Sequence, residues 1–202
     1  MKRITALICA LLLVLSLGAC GKANKPEKTA EAFFEALKKM DFDGMNACTM
    51  EEVNVEWDPA DMDMFSDETV QQLLGVFQSF AAKIEYVLGE ATVTGDTATV
   101  PATVTYADAS SIVRDAMTDV MANMFMTLLG EESEADVYTQ LIQAISDKAG
   151  EETVATKTDE LVLPFTKTDD GWKLSALSDE LMNVISANMG DAFAEAESAL
   201  TE

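Results

Sequence analysis

The chain of 202 residues has no histidine, four prolines and three cysteines, and its 13 lysines and arginines stand against 36 aspartates and glutamates. Each shortage excludes something. Without histidine there is no imidazole to serve as a general base or to activate a nucleophilic cysteine or serine. A net charge of −23 repels phosphate and so opposes nucleic-acid binding. No nucleophile motif, phosphate loop or metal-ligand spacing stands out, which leaves no catalytic residue, cofactor or metal to assign.

Long apolar runs are also scarce, and the main one lies at the N-terminus. Lys2 and Arg3 are followed by Ile4 to Leu17, apolar except for Thr5 and Ser16, and then by Gly18, Ala19 and Cys20. A charged start, an apolar stretch and small residues are the layout of a secretory signal. Residues 4–19 fall short of the ~20 apolar residues that a bilayer span needs. The stretch Leu17-Gly18-Ala19-Cys20 resembles the recognition box of bacterial lipoprotein signals. That resemblance implies cleavage between Ala19 and Cys20 and a diacylglycerol on the Cys20 thiol. The expected location is the extracytoplasmic face of the cell membrane, with the membrane as partner through that lipid. Two acyl chains, at ~0.8 kcal/mol per buried methylene, suffice for stable anchoring.

Removal of residues 1–19 takes away Lys2, Arg3 and no acid, leaving a net charge of −25, which reads first as solubility outside the cell. Lys22, Lys25 and Lys28 form a local exception, each offering ~1 kcal/mol of attraction to an anionic leaflet. Cys9 leaves with the signal and Cys20 is taken by lipid, so no intramolecular disulfide is expected for Cys48. Cys48, beside Ala47 on a predicted helix, reads as a small core residue.

Residues 20–27 read as a membrane-proximal tether reaching at most ~25 Å, and residues 28–202 as one domain. Spacing predicts helices over Lys28–Met40 (Ala30, Phe33, Phe34, Leu37), over Gly44–Cys48, and after Ser66 (Val70, Leu73, Leu74, Phe77, Phe80). Val53, Val55 and Trp57 suggest a brief extended segment. Ile84, Tyr86, Leu88, Ala91 and Val93 alternate toward a Gly95-Asp96 turn, with Gly89 at a bulge. Ala98, Val100, Ala102, Val104 and Tyr106 then share a face, and Pro101 places that strand at an edge or bulge. Residues 108–150 read as an inserted helical hairpin, stopped by Gly130 and restarted at Ser133. Thr153–Lys167 is a strand with Leu161, Leu163 and Phe165 on one face. Asp169-Asp170-Gly171 turns it into Trp172, Leu174 and Ala176. Ser178 caps a last helix carrying Leu181, Val184, Ile185 and Met189. The order predicts an α+β fold: a curved antiparallel sheet of about four to five strands packed on N-terminal helices, with the inserted helical hairpin and a C-terminal helix.

Two stretches carry a family resemblance. They are residues 29–43 (TAEAFFEALKKMDFD) and residues 161–174 (LVLPFTKTDDGWKL). The chain resembles small bacterial lipoproteins with a nuclear transport factor 2-like, or cystatin-like, α+β domain. The resemblance implies a cone of sheet and helices with an apolar interior. Some relatives are enzymes, and many lipoprotein members have no known activity.

An enzyme of the isomerase or hydrolase kind on this fold would need an Asp or Glu base, with Tyr86, Tyr106 or Tyr138 as hydrogen-bond donor. On this register Glu85 and Glu90 face outward, and no acid sits at a predicted inward strand position flanked by apolar neighbours. Tyr86, Tyr106 and Trp172 read as core residues. Asp41, Asp43 and Glu52 match three positions of a Ca²⁺ loop, but Met45 and Asn46 break it. Asp58, Asp61, Asp63 and Asp67 also lack the pattern, so both groups read as solvated acidic loops. Met117, Met121 and Met124 share a helical face, where a Cu(I) thioether site competes with plain core filling. With Val113, Val120, Phe125 and Leu128 they form a wide apolar surface suited to a partner or lipid. The expectation is a non-catalytic lipoprotein that binds a small apolar ligand or an envelope protein partner. The alternative is the Asp/Glu-based enzyme.

Overall fold

In the computed structural model, residues 25–53, 67–126, 134–151 and 154–190 are described. Helix α1 (Pro26–Leu37) starts two residues before the apolar spacing does, because proline suits a first helical turn, where its missing N–H has no helical acceptor. Pro26 and Glu27 therefore form the first turn of this helix. Glu27 Oε1 accepts the Ala91 N–H at 3.1 Å. Helix α2 (Phe42–Cys48) likewise begins earlier than Gly44. Asp41 caps it by accepting the Gly44 N–H at 3.0 Å, and a Cβ on Gly44 would sit 2.6 Å from the Asp41 carboxylate. Glycine is needed there so that the cap can close. Helix α3 (Asp67–Ala81) follows, while Val55, Trp57 and the Ser66 cap lie outside the described residues.

Strands β1 (Glu85–Leu88), β2 (Thr92–Thr94), β3 (Thr97–Asp108), β4 (Ala155–Thr168) and β5 (Gly171–Leu174) form one antiparallel sheet in the order β1-β3-β4-β5, with β2 also on β3. Val100 opposes Leu163 and Ala102 opposes Leu161, so alternate residues of both long strands bury on one face. Threonines line much of the other. β3 is an interior strand, and Pro101 is accommodated by an interruption between β1 and β2. The Pro101 carbonyl accepts the Gly89 N–H at 2.7 Å. In an antiparallel strand a residue's N–H and C=O point the same way. The donor that Pro101 lacks would thus have faced the interruption and not β4. Gly95 takes φ +62° in the turn between β2 and β3, a conformation that glycine adopts without steric cost. Val93 departs from expectation: it opposes Ala98 but stays 53% exposed, on the short strand β2.

Helices α4 (Ser110–Met126) and α5 (Glu134–Glu151) form the hairpin inserted between β3 and β4. Helix α6 (Asp179–Ile185) is capped as expected, with Ser178 Oγ accepting the Leu181 N–H at 3.3 Å. It does not run on through Met189. Ala187 and Asn188 adopt left-handed backbone (φ 52° and 59°), and the Ala187 carbonyl accepts the Ala109 N–H at 2.9 Å. For alanine this conformation costs on the order of 1 kcal/mol, which the tertiary hydrogen bonds offset.

The interior is divided in two. One core packs α1, α2 and α6 on the sheet through Phe33, Phe34, Met45, Val104, Phe165 and Trp172. The other joins α3, α4 and α5 through Phe80, Ile112, Val113, Ala116 and Ile145, and takes from the sheet strands only Ala107, near the end of β3.

Candidate functional site

The polar corner where the two cores meet holds the richest chemistry. Tyr106 lies on the buried face of β3, and Lys157 and Asp159 lie on the matching face of β4. The Tyr106 hydroxyl, on a side chain 1% exposed, donates to Asp159 Oδ2 at 2.6 Å. Lys157 Nζ lies 3.4 Å from the same oxygen. One turn of the pleat further, Asp108 Oδ1 accepts the Ser110 N–H at 3.1 Å and the Asn188 Nδ2–H at 3.0 Å. Burial pushes the Asp108 carboxyl up. The hydrogen bonds from Asn188 and Ser110 and the nearby Lys157 charge outweigh that and hold it below its ordinary value.

This corner brings two acids onto the buried face of the sheet, neither of them flanked on both sides by apolar neighbours. Asp159 sits two residues before Leu161 and Asp108 two residues after Tyr106, each on the buried face. Counting outward by two from the apolar positions is the signal that finds them. What they do chemically is limited by their partners. Asp159 already receives a hydroxyl and an ammonium, and Asp108 already caps α4 and holds Asn188.

A second tyrosine is occupied in the same way. Tyr86 stacks on Phe34 (ring centroids 4.7 Å apart) and donates to Glu35 Oε1 at 2.9 Å. Burial, the hydrogen bond to Glu35 and the charges of Glu35 and Glu31 push its pKa up to about 12. It keeps its proton and spends it on Glu35.

The remaining sequence candidates scatter. Glu85 and Glu90 are exposed, as their outward register predicts. Asp41 serves as a helix cap, and Val53 N–H donates to Asn46 Oδ1 at 2.6 Å, so the 41–52 stretch is organised by capping. Cys48 is buried in the sheet core as expected. The other cysteines, Cys9 and Cys20, lie outside the described residues, as do Ala19 and the acids from Asp58 to Asp63. The apolar surface on α4 is largely consumed by packing. Val113 and Val120 are buried, Met117 is half-buried, and Met121 alone of these four is 48% exposed. The side chains of Met124, Phe125 and Tyr138, and all of Leu128, fall outside the described set. Among the described residues, no helix is long and apolar enough to cross a membrane.

Solved structures to which the chain shows similarity include these two. One is a protein of Bacillus subtilis (ycdA) assigned as a lipoprotein, at 15% identity and TM-score 0.41. The match takes in 80% of this chain and 44% of that one, so the chain spans less than half of the Bacillus protein. The other, from Streptomyces avermitilis, is assigned as a dehydratase of the NTF2-like family, at 18% identity and TM-score 0.34, covering 73% of this chain and 87% of that one. No protein-family model and no curated protein matches the chain.

Proposed function

We propose that this protein is a lipid-anchored domain on the extracytoplasmic face of the cell membrane, that it is not an enzyme, and that it binds a protein partner of the envelope. The observation that carries the reading is Leu17-Gly18-Ala19-Cys20 behind a basic start and an apolar run. The packing supports a binding role over catalysis. Tyr86 and Tyr106, the hydroxyls that a proton-transfer mechanism on this sheet would use, each donate to a carboxylate. The space that a small apolar ligand would take between α1 and the sheet is occupied by Phe33, Phe34, Leu37 and Met45, all essentially inaccessible. This favours a protein partner over an apolar ligand.

Native mass spectrometry of the protein extracted from its own membrane tests the proposal. The expected species starts at Cys20, carries a diacylglycerol thioether and retains a protein subunit. Acylation of Cys20 and a Cys20–Cys48 disulfide exclude each other, since both use one sulfur. An unmodified Cys20 bridged to Cys48, or an intact N-terminus, would overturn the anchor. A retained small apolar molecule without protein would overturn the choice of partner.

A further inference from the structure

We infer that the anchored domain stands with its two strand tips toward the lipid and its α3–α5 lobe outermost, so that the anionic leaflet and the acidic lobe keep opposite ends of the molecule. This rests on the Cys20-anchored reading and adds to it which surface meets the membrane. Three observations carry it. First, the chain enters the fold in the tip-bearing half of the sheet. Glu27 holds the Ala91 N–H just before β2, and the Thr29 hydroxyl donates to the Trp172 carbonyl at 3.1 Å just after the β4–β5 turn. The two turns are joined, because Lys167 N–H donates to the Asp96 carbonyl at 2.8 Å. The start of α1 is therefore fastened beside the β4–β5 turn and at the inner end of β2, one residue past the Thr92–Thr99 pair, in the half of the sheet that carries the tips.

Second, the lengths are unequal. From Cys20 to Pro26 a fully extended chain covers at most about 20 Å. β3 runs twelve residues from the tips to Asp108, about 36 Å at the strand rise. The helical lobe begins beyond that far end, where Ala109 N–H meets the Ala187 carbonyl. The leash cannot bring the lobe to the headgroups while the tips point away.

Third, charge is distributed unequally along this axis. In sequence, α3, α4 and α5 together hold eight acids against two bases, Arg114 and Lys148. In sequence, the two tips and the start of α1 hold Asp96, Asp169 and Asp170 against Lys25, Lys28 and Lys167. Repulsion from an anionic leaflet, acting within about 10 Å at moderate salt, disfavours a domain lying on its lobe.

Energy transfer to the membrane tests the orientation. The full-length, natively processed protein is reconstituted into vesicles of phosphatidylethanolamine and phosphatidylglycerol that contain acceptor-labelled lipid. Donors are placed at exposed positions, one at the tips (Asp96→Cys, repeated with Asp169→Cys) and one on the lobe (Ala122→Cys, repeated with Thr139→Cys). Cys48 is buried and takes no label. The tip donors should transfer several-fold more strongly than the lobe donors. Equal transfer, or stronger transfer from the lobe, overturns the orientation. Vesicle flotation separates this from the anchor itself. Parent protein that fails to float, or Cys20→Ser that floats equally, overturns the anchored reading and the orientation with it. Flotation with equal transfer overturns the orientation alone.

Discussion

The sheet core and the helical core are built from different side chains. Under the sheet, Phe33, Phe34, Phe165, Tyr106 and Trp172 interlock across elements whose partners are set by strand register. Between α3, α4 and α5 the buried residues are mostly Ala, Val and Ile, with Phe80 the large exception, and several sit nearer the surface. Aromatic side chains bury more area each and have fewer alternative packings. Small residues on helix faces pack closely but individually contribute less. The two cores are tied at one corner by Asp108, Asn188 and the Ala109–Ala187 bond. The difference implies that the lobe can open on its own while the sheet core holds, a division of stability common in folded domains.

The comparison can be broken most directly in the sheet core. Phe34→Ala removes a fully buried ring that stacks on Tyr86, and should cost about 3–5 kcal/mol in urea denaturation followed by tryptophan fluorescence. A loss below about 1 kcal/mol would mean that the sheet core is not the stable half. Ile112→Ala should cost about 2–4 kcal/mol in the lobe. Hydrogen exchange should then rise through α4 and α5 while β3 and β4 stay protected. Loss of protection throughout the sheet would show one cooperative unit.

Asp108 sharpens the comparison at the joint. Its folded pKa is depressed, so its carboxylate stabilises the fold above the unfolded pKa of about 3.9 and that contribution is lost as pH falls through the folded value. Asp108→Asn should flatten the acid limb of a Tm-against-pH curve. A curve parallel to the parent's would show that the joint contributes nothing. Tyr86→Phe should cost about 1 kcal/mol near neutral pH by removing the donor to Glu35. The raised Tyr86 pKa works in the opposite pH range: its stabilisation is complete below the unfolded value of about 10 and is lost as pH rises toward 12. Absorbance of tyrosinate should show a late step in the parent that is missing from the Tyr86→Phe protein. Met121→Asp is the smallest perturbation, within about 0.5 kcal/mol in the same denaturation assay, because that side chain is half in water.

Much of the fold was legible because period-two and period-3.6 patterns are local. Ala98 through Tyr106 and Leu161 through Phe165 declare one buried face each, and all of those positions are buried. The hairpin insertion was legible from its two stretches of helical spacing; Gly130 and Ser133 lie outside the described residues, and α5 runs past the expected stop at Gly150 to Glu151. The break after Ile185 was missed, although Asn188 beside Ala187 is a residue that tolerates left-handed backbone; the turn it makes also brings the Ala187 carbonyl to the Ala109 N–H. The candidate corner was half legible. Tyr106 was read as a core residue, which it is, but its hydroxyl contact with Asp159 pairs residues 53 apart in sequence. Val113 and Val120 looked like an open surface because an amphipathic helix does not reveal whether its apolar stripe meets a neighbour or water.

By itself the sequence determined the kinds of element, the buried face of each long strand, the acidic surface and the expectation of a lipid anchor, all carried by neighbouring residues or bulk composition. Only the tertiary structure decided that Asp108 clasps Asn188 eighty residues away, that a second core covers α4, and that the start of α1 is tied to Ala91 and Trp172 of the sheet. Periodicity records what a segment must hide or expose. Which distant segment satisfies it depends on how the whole chain closes.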